Sequence, residues 1–585
     1  MNNRKKNIKR SNVYQLLSGI AIILLVNIIA SFLFTRLDLT SEKRYSLSTA
    51  TKKLLKKVDD VVFFKVFLNG DLPPGFQRLS NETKEMLDEF RAYNKNIQYQ
   101  FVNPSENPNG KERNDTYRML VEHGLQPTDL RVSRKGESSQ LIIFPGALVS
   151  FKGHEIPVQL LMAQLQQGPE QALNASVQAL EYNLASAIQI LMTPIKPRLA
   201  IIEGHGELDP MQSIDLQNAL SSFYSVDRVA LNHKISALAV RIKSDSSHDV
   251  LLNKYRAIII AKPVKPFDEK DKFLIDQFIM RGGRVLWLID PVFASMDSLQ
   301  KYNTTIGIPN DINLEDILFN YGARLNLDLI QDMNALQIPV KTGQIGNQPQ
   351  FDFFKWFFFP ILVPAINHPI VNGLNAVKTE FVSSLDTVSV PGIKKTFLLT
   401  TSPYSRTVNA PALIDLDILR EPPDERTYNK GPKPVALLLE GEFPSAFLYR
   451  IPPELSSNEG LGFRAKSKST RMVVISDGDV VKNDFSFKEG YPLPMGYDQY
   501  SRQTFGNKEL VLNAINFLTD DSGLISIRSR ELKLRLLDGN KIVKNRLFWQ
   551  LFNILLPVAF ILGFGIVRYR IRKAIYAPLS RKKQS

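Results

Sequence analysis

The stretch from Arg198 to Asp209 reads RLAIIEGHGELD, an apolar strand that runs into a glycine-rich turn. Two runs of the same kind follow, YRAIIIA at 255–261 and RVLWLI at 284–289. Between them, Asp268 is placed to cap a helix that ends before Gly282. Strands that are apolar throughout and alternate with helices are typical of a parallel sheet buried on both faces. The sequence therefore predicts a doubly wound α/β domain.

A smaller α/β unit is predicted upstream of this domain. Residues 61–68 (VVFFKVFL) and 97–102 (IQYQFV) have the character of strands, and residues 76–93 between them carry apolar side chains at helical spacing. Two later apolar runs turn at Gly153, which predicts a hairpin. The β-α-β order followed by a hairpin indicates a compact unit of its own.

The composition excludes several classes of site. The 585-residue chain has no cysteine and six histidines, so it cannot form disulfides, cysteine-ligated zinc or iron–sulfur sites, or use a thiol nucleophile. It contains no HExxH, GxxxxGK[ST], GxSxG or GxGxxG motif. We therefore expect no metal and no cofactor, and if the protein takes part in ATP-driven work, the ATPase is another chain.

The net charge of +15 is concentrated at the two ends of the chain. Residues 1–12 hold five basic residues and residues 568–585 hold seven, and neither segment contains an acid. The rest is nearly balanced, with 61 basic and 58 acidic residues. Nucleic-acid binding needs clustered cations that track phosphates, so this distribution argues against a nucleic-acid partner.

Each basic tail borders a long uncharged apolar run. Residues 13–34 and residues 547–567 contain 22 and 21 residues without a charge, and about 20 suffice to span a bilayer. The alternatives are a cleaved signal peptide for the first run and a buried core helix for the second. The positive-inside rule places both tails in the cytoplasm, which puts residues 36–546 in the periplasm of a bacterium, held by the inner membrane.

The predicted organisation has seven parts. They are a cytoplasmic basic tail (1–12), a transmembrane helix (13–34), an N-terminal periplasmic α/β domain (36–195), a larger α/β domain (196–526), a basic juxtamembrane segment (527–546), a second transmembrane helix (547–567) and a second cytoplasmic basic tail (568–585).

The glycine-rich turn supplies the candidate ligand-binding residues, Glu203, His205 and Glu207. Ligands of open α/β sheets bind at the carboxyl ends of the strands, where this turn lies. Two carboxylates and a histidine could bind a ligand or transfer protons. The alternative is a turn whose polar side chains cap the next helix. We assign no catalytic residue and expect that the protein is not an enzyme.

Asp477-Gly478-Asp479 follows another predicted strand. The D-x-D spacing resembles a calcium loop loosely, but the later glycine and bidentate glutamate of that pattern are missing. An ordinary turn is the alternative, and we predict no metal site there.

An aromatic stretch, FDFFKWFFFPILVP at 351–364, leaves two interpretations open. It is too short and too rich in proline to span a bilayer. It is either a strand in the core or an apolar surface that meets a membrane subunit or the bilayer interface, a depth that aromatic residues favour. In the second case, the contact residues would be Phe353, Trp356, Phe357, Phe358 and Phe359.

Several blocks of sequence together resemble a known family. They are Arg44–Pro104 (beginning RYSLSTATKKLLKKVDDVVFFKVFLNGDLPPGF), Arg198–Asp209 (RLAIIEGHGELD), Asp276–Pro291 (DQFIMRGGRVLWLIDP), Pro432–Arg450 (PKPVALLLEGEFPSAFLYR), Met472–Asn483 (MVVISDGDVVKN) and Gly506–Asp520 (GNKELVLNAINFLTD). These blocks are similar to the ABC-transporter auxiliary family. Within it they resemble the gliding-motility-associated ABC transporter substrate-binding proteins, the G component of the Gld system of Bacteroidetes.

The resemblance covers nearly the whole chain, both apolar ends included. It implies an inner-membrane complex with a separate ATP-binding subunit and a multi-span permease as partners, and a link to gliding motility. It supplies no catalytic residues. The larger α/β domain is also broadly similar to glutamine-amidotransferase-like folds, whose catalytic cysteine is missing here.

The sequence thus predicts a membrane-anchored, periplasmic accessory or substrate-binding subunit of an ABC transporter, with an unknown ligand. Two alternatives stay open. One is a periplasmic hydrolase-like protein acting on envelope polymers through Glu203, His205 and Glu207. The other is a scaffold that binds only other proteins.

Overall fold

The computed structural model describes residues 13–14, 16–27, 46–134, 137–162, 169–193, 195–243, 249–346, 348–420, 422–458, 460–486, 489–529 and 545–576. The chain divides into two compact units. One unit, which we call the body, is Ser46–Glu531, and the other consists of residues 1–45 and 532–585. Each unit is described by itself.

The described helices lie mostly in the body. They are α1 (Leu16–Asn27), α2 (Thr49–Leu55), α3 (Pro74–Tyr93), α4 (Gly110–Glu122), α5 (Pro169–Met192), α6 (Ile214–Ser221), α7 (Ile235–Leu238), α8 (Glu269–Met280), α9 (Met296–Tyr302), α10 (Glu315–Tyr321), α11 (Pro453–Ser456), α12 (Asn507–Thr519) and α13 (Arg546–Tyr576). Short 3₁₀ helices cover Leu416–Leu419, Glu425–Thr427, Asp479–Val481 and Leu524–Ser529.

All described strands belong to the body. They are β1 (Val62–Val66), β2 (Ile97–Phe101), β3 (Thr128–Arg134), β4 (Glu137–Ile143), β5 (Gly146–Phe151), β6 (His154–Gln159), β7 (Arg198–Glu203), β8 (Ser225–Ala230), β9 (Ala239–Lys243), β10 (Asp249–Asn253), β11 (Ala257–Ala261), β12 (Arg284–Leu288), β13 (Val292–Phe293), β14 (Thr304–Pro309), β15 (Ala323–Leu325), β16 (Asp328–Asp332), β17 (Ala335–Ile345), β18 (Gln348–Pro364), β19 (Val377–Lys378), β20 (Leu385–Thr387), β21 (Ile393–Thr400), β22 (Ser405–Asn409), β23 (Ala412–Asp415), β24 (Pro434–Gly441), β25 (Thr470–Ile475), β26 (Tyr497–Asp498) and β27 (Gln503–Thr504).

The N-terminal part of the body contains a four-stranded sheet in the order β2-β1-β5-β6. β1 and β2 are parallel and are joined through α3, which confirms the predicted β-α-β order. β5 and β6 form the predicted antiparallel hairpin, which turns at Gly153 with a positive φ of 83°. Only glycine adopts that backbone conformation without a steric cost, so the sequence signal at Gly153 was specific.

The larger part of the body is built on a mixed ten-stranded sheet. Its order is β17-β18-β21-β24-β25-β12-β11-β7-β8, and β19 pairs with β18 off this path. The strands from β25 to β8 are mutually parallel, whereas those from β17 to β25 pair antiparallel. The fold is therefore mixed α/β, and β25 is the strand at which the two pairing modes meet.

Alternate residues of the parallel strands enter two different cores. Ile259 and Leu286 pack in the core that includes α6 and α12 side chains, whereas Ile258 and Trp287 pack in the core that includes α8 and α10 side chains. Both faces of these strands are therefore covered. This explains why their sequences are apolar throughout and do not alternate.

Helix α5 holds both ends of the body. The Glu181 carboxylate accepts a hydrogen bond of 2.6 Å from the backbone N–H of Ser48. The guanidinium of Arg528 lies over the ring of Tyr182, 5.3 Å from its centroid. Ile527 is buried in the same core as α5. The first residues of the predicted juxtamembrane segment thus pack into the body, and residues 530–544 of that segment lie outside the described residues.

The aromatic stretch forms most of β18. Trp356, Phe357, Phe358 and Phe359 are at most 6% exposed, whereas Phe353 is 52% exposed. Phe353 lies in the part of β18 that pairs with β17, whereas the four buried rings lie closer to the residues that pair with β19 and β21. The burial agrees with the core-strand interpretation for these four, because they are not on the surface of the body. A partner or membrane contact through Phe353 stays a prediction.

In the other unit, α13 is long and apolar enough to cross a membrane by length and composition. Its 29 residues from Arg546 to Ala574 span about 43 Å as a helix, against a hydrocarbon core of about 30 Å. The first predicted span, 13–34, is described only in part, as the shorter apolar helix α1. Residues 28–34 and both basic tails, apart from 568–576 in α13, lie outside the described residues.

The difference in burial along β18 predicts two unequal substitutions. Trp356→Ala removes a fully buried ring and should lower the free energy of unfolding by about 3–5 kcal/mol through lost contacts and a cavity. Phe353→Ala removes a half-exposed ring and should cost about 1 kcal/mol or less. Chemical denaturation of the full chain in detergent, followed by circular dichroism, measures both. Equal losses would contradict the division of β18 into a buried and an exposed part.

Candidate functional site

The carboxyl edge of the parallel strands brings together charged residues from separate parts of the chain. Lys262 follows β11, Asp290 follows β12, and Asp477 and Asp479 follow β25. We call these four residues the charge cluster. Their position matches the edge at which open α/β sheets bind ligands.

The Lys262 ammonium group lies between two carboxylates of the cluster. Its Nζ is 2.9 Å from Asp290 Oδ2 and is also paired with Asp479 Oδ2. Asp477 is fully buried and accepts backbone hydrogen bonds from Asp479 (2.7 Å) and from Glu380 (2.9 Å). The cluster therefore ties together the loops after three neighbouring strands.

The glycine in Asp477-Gly478-Asp479 is required by close approach of the chain. The Gly478 N–H donates to Asp290 Oδ1 at 2.5 Å. A Cβ at this position would lie 2.5 Å from the Cβ of Lys262, which no real contact allows. The motif therefore places the Asp479 carboxylate on Lys262 and the Gly478 N–H on Asp290.

The protonation of the cluster follows from burial and from the charges in it. Burial raises the pKa of Asp477 well above its usual range, and the neighbouring carboxylates add to this effect. Burial also raises the pKa of Asp290, against the influence of Lys262. For Lys262, burial acts to lower the pKa, but Asp290 and Asp479 outweigh it and hold the pKa well above its usual range.

A metal ion could be considered at this cluster. Asp290, Asp477 and Asp479 each offer a carboxylate oxygen, and these atoms lie within 4.8 Å of one another. Lys262 already supplies a positive charge to two of the three carboxylates. We therefore interpret the cluster as a lysine-neutralised site, and the absence of a metal stays a prediction.

A cavity of about 380 Å³ lies beside the charge cluster. Its apolar lining comes from Met296, Leu299, Leu336, Ile338, Pro339, Phe359, Leu416 and Phe485. Its polar lining comes from Asp297, Gln337, Lys378, Glu380, Lys482, Asp484, Ser486, Asp498, Gln499 and Tyr500. The volume falls near the lower end of the roughly 300–1,000 Å³ of small-molecule sites.

The cavity and the cluster share one hydrogen-bonded segment. Glu380 lines the cavity through its side chain and donates its backbone N–H to Asp477. Lys378 Nζ is 2.5 Å from Asp484 Oδ2 and 3.5 Å from Glu380 Oε1. Burial raises the pKa of Glu380, with nearby carboxylates adding to the shift and Lys378 opposing it. The hydrogen bond from the Glu380 N–H to Asp477 therefore connects the cavity wall to the charge cluster.

The sequence-predicted ligand residues are only partly brought together. His205 Nδ1 is 3.1 Å from Glu207 Oε1, and its Nε2 is 3.2 Å from Asp271 Oδ2. The ring stacks on Phe267 at a centroid distance of 3.6 Å. Glu203 points elsewhere and is paired with Arg228. A ligand role for Glu203, His205 and Glu207 stays a prediction, and the contacts agree with the alternative of a turn held by its own side chains.

Sequence reasoning missed Lys262, Lys378 and Glu380. Lys262 and the carboxylates that it pairs with are about 30 to 220 positions apart in sequence, so no spacing pattern could reveal them. The available signal was that Asp290 and Asp477 each follow a buried parallel strand closely, because such strands share one carboxyl edge.

The fold and site define a mixed α/β body with a charged cavity at the carboxyl edge of its parallel strands. The family model described as an ABC-type uncharacterized transport system matches residues 196–514. This is more than half of the chain, and the protein therefore belongs to that ABC-transporter auxiliary family. A second model, described as a domain of unknown function, matches residues 41–150.

Two individual proteins are also similar to this chain. An uncharacterized protein of Borreliella burgdorferi is 21% identical over 580 residues, which is 97% of this chain and 99% of the relative. A solved structure, the mmIFT52 N-terminal domain, matches 55% of this chain and 97% of its own at 13% identity, with a TM-score of 0.30. A likeness at that TM-score carries no argument about fold or function.

The position of Lys262 predicts a large and specific loss of stability. Lys262→Met keeps the side-chain length but leaves buried Asp290 without its cation and leaves Asp479 with Lys482 alone, so the free energy of unfolding should fall by about 3–5 kcal/mol. The matched control is Lys394→Met, whose side chain is 71% exposed and pairs with Glu440. That exposed pair should contribute about 1 kcal/mol or less. Denaturant unfolding of both variants measures the difference.

The loss in Lys262→Met should grow with pH. Lys262 opposes the upward pKa shifts of Asp290 and Asp477, so its removal raises both further above 3.8. When the pKa of a carboxyl group is higher in the folded protein than in the unfolded chain, its protonation stabilises the fold at low pH. This stabilisation is lost as the pH rises through the folded-state pKa. The loss of unfolding free energy in Lys262→Met, relative to the unaltered protein, should be smallest near about pH 4 and largest near neutrality. A deficit that shrinks as the pH rises would contradict this assignment.

Proposed function

We propose that the protein is a non-enzymatic accessory, substrate-binding subunit of an ABC transport complex. The body would act in the periplasm while apolar segments at both ends anchor it in the bacterial inner membrane. The observation that carries the proposal is the family match over residues 196–514, which coincides with the part of the body that holds the cavity and the charge cluster.

The anchoring part of the proposal is supported by α13 and by the uncharged run at 13–34. The basic residues that flank each run favour cytoplasmic tails under the positive-inside rule. An anchor at each end would keep the body permanently beside its partners. This arrangement suits conformational coupling at least as well as ligand delivery.

The proposed partners are a separate ATP-binding subunit and a multi-span permease. The sequence contains no phosphate-binding GxxxxGK[ST] motif, so another chain would have to hydrolyse ATP. The described helices include only one that could cross a membrane by length and composition, which is too few for a transport pathway of its own.

The proposal that the protein is not an enzyme is supported by the surroundings of His205. Both ring nitrogens are engaged by carboxylates, and one ring face is covered by Phe267. A general base needs a nitrogen within reach of the substrate proton. Glu207→Gln should therefore leave complex assembly and cellular function unchanged, whereas loss of function in a folded variant would favour the hydrolase-like alternative.

Two finer points belong to the same proposal. The larger domain would be a doubly wound fold of the glutamine-amidotransferase-like kind without catalytic residues, which is supported by its parallel strands and the cores on both faces. The link to gliding motility rests on the sequence resemblance alone. A deletion strain that glides normally would remove that link and leave the transporter role intact.

The first test is affinity purification of the full-length protein from native membranes in mild detergent, followed by mass spectrometry. We expect a permease and a Walker-type ATPase in a fixed ratio to the bait. A tagged, unrelated inner-membrane protein from the same strain is the control for background. Elution of the protein alone, or with envelope polymer fragments, would overturn the proposal.

The absence of cysteine makes the topology directly testable. Ser457→Cys places one thiol at an exposed position of the body, and Ser585→Cys places one in the C-terminal tail. In intact spheroplasts, a membrane-impermeant maleimide should label the first variant and spare the second until the membrane is lysed. Labelling of both, or of the tail alone, would contradict a periplasmic body with a cytoplasmic tail.

A further inference from the structure

The charged lining of the cavity carries an excess of negative charge. Among the described residues, it contains four carboxylates, Asp297, Glu380, Asp484 and Asp498, and two ammonium groups, those of Lys378 and Lys482. A wall of one predominant sign focuses the local potential and raises the concentration of ligands of the opposite sign. On this count alone, the cavity favours a cation over an anion.

The two lysines do not cancel this excess. Lys378 is held by Asp484 at 2.5 Å. Lys482 lies 3.4 Å from Asp479, a carboxylate of the charge cluster behind the wall. Its charge is therefore shared with a group that does not line the cavity. Within the described residues, the contact found for the Glu380 carboxylate is Lys378 Nζ at 3.5 Å, which is longer than a normal charge-assisted hydrogen bond.

Glu380 is placed to meet a ligand. Its side chain is 18% exposed and lines the cavity, while its backbone is fixed by the hydrogen bond to Asp477. Asp498 is positioned by a 2.8 Å hydrogen bond from the backbone N–H of Ser501. These hydrogen bonds therefore position Glu380 and Asp498 before any ligand enters the cavity.

The cavity lining also contains apolar residues. Leu299, Leu336, Ile338 and Phe359 are all buried side chains that reach the lining. Apolar walls with a few fixed polar groups are the usual form of a small-molecule site. A bare metal ion would gain nothing from these walls, whereas an organic ligand would bury its apolar part against them.

We propose that the cavity binds a small organic cation, a primary amine or guanidinium carried on an apolar body. The charged group pairs with Glu380 and the apolar body lies against Leu336, Ile338 and Phe359. The inference rests on the proposed function in one respect only, namely that this cation is the substrate of the transport complex. Binding itself requires neither partner.

The test is calorimetric titration of the full chain in lipid nanodiscs, with empty nanodiscs as the background. The probe is 2-phenylethylamine, compared with 2-phenylethanol, which lacks the charge, and 3-phenylpropanoate, which reverses it. We expect the amine to bind at least about tenfold more tightly than the alcohol, because it pairs with a carboxylate in a largely buried site. The propanoate should bind most weakly.

Three variants test whether the amine binds in the cavity. Glu380→Gln should weaken amine binding about 10- to 100-fold. Lys482→Met should strengthen it, because it removes a positive charge from the wall, and a variant that was merely damaged would not bind more tightly. Glu442→Gln changes a half-exposed carboxylate outside the cavity lining and should have no effect.

Several results would overturn the inference. They are no heat of amine binding at millimolar concentration, propanoate binding as tightly as the amine, equal amine affinity in Glu380→Gln and the unaltered protein, or binding of Ca²⁺ with displacement of the amine. These failures are separate from failure of the proposed function. A transporter subunit without this ligand would still co-purify with its ATPase, and an amine-binding protein outside a transporter would not.

Discussion

The Lys262 ammonium group holds together the edge on which the rest of the larger domain depends. It neutralises carboxylates that follow β12 and β25, and it does so where the parallel and antiparallel parts of the large sheet meet. Buried carboxylates repel one another and lose hydration, so the three loops can approach only if a cation lies among them. The same approach places Glu380 at the wall of the cavity, since its backbone is bonded to Asp477.

The order of the central elements could be predicted because the physical signals were local. Apolar runs such as 257–261 and 284–288 indicated doubly covered parallel strands, and Asp268 indicated the start of α8, where its side chain accepts from the Asp271 N–H at 2.8 Å. Ser48 likewise caps α2, where its side chain accepts from the Thr51 N–H. The region after residue 311 gives a weaker sequence signal, because several of its antiparallel strands are short and pair with distant partners, as β16 does with β22.

The sequence indicated the sheet edge at which the candidate site lies, but it did not indicate which residues form the site. The predicted turn after β7 lies at the same sheet edge as the charge cluster, yet the side chains named there, His205 and Glu207, bond mainly to their own surroundings. The residues that line the cavity come from several helices, strands and loops between Met296 and Tyr500. The aromatic stretch shows the same limit, because only tertiary packing decides that Trp356 is enclosed while Phe353 stays half exposed.

Helix α5 connects the beginning and the end of the body through two consecutive residues, Glu181 and Tyr182. This has a mechanical consequence. Tension applied between the two chain ends of the body would run through Ser48, α5 and Arg528, which is the short route between them. Arg528 also donates to Asn372 and to Asn513 of α12, so part of the force would pass into the larger part of the body. Pulling at the chain ends would therefore also reach α12, which packs in the core of the large sheet.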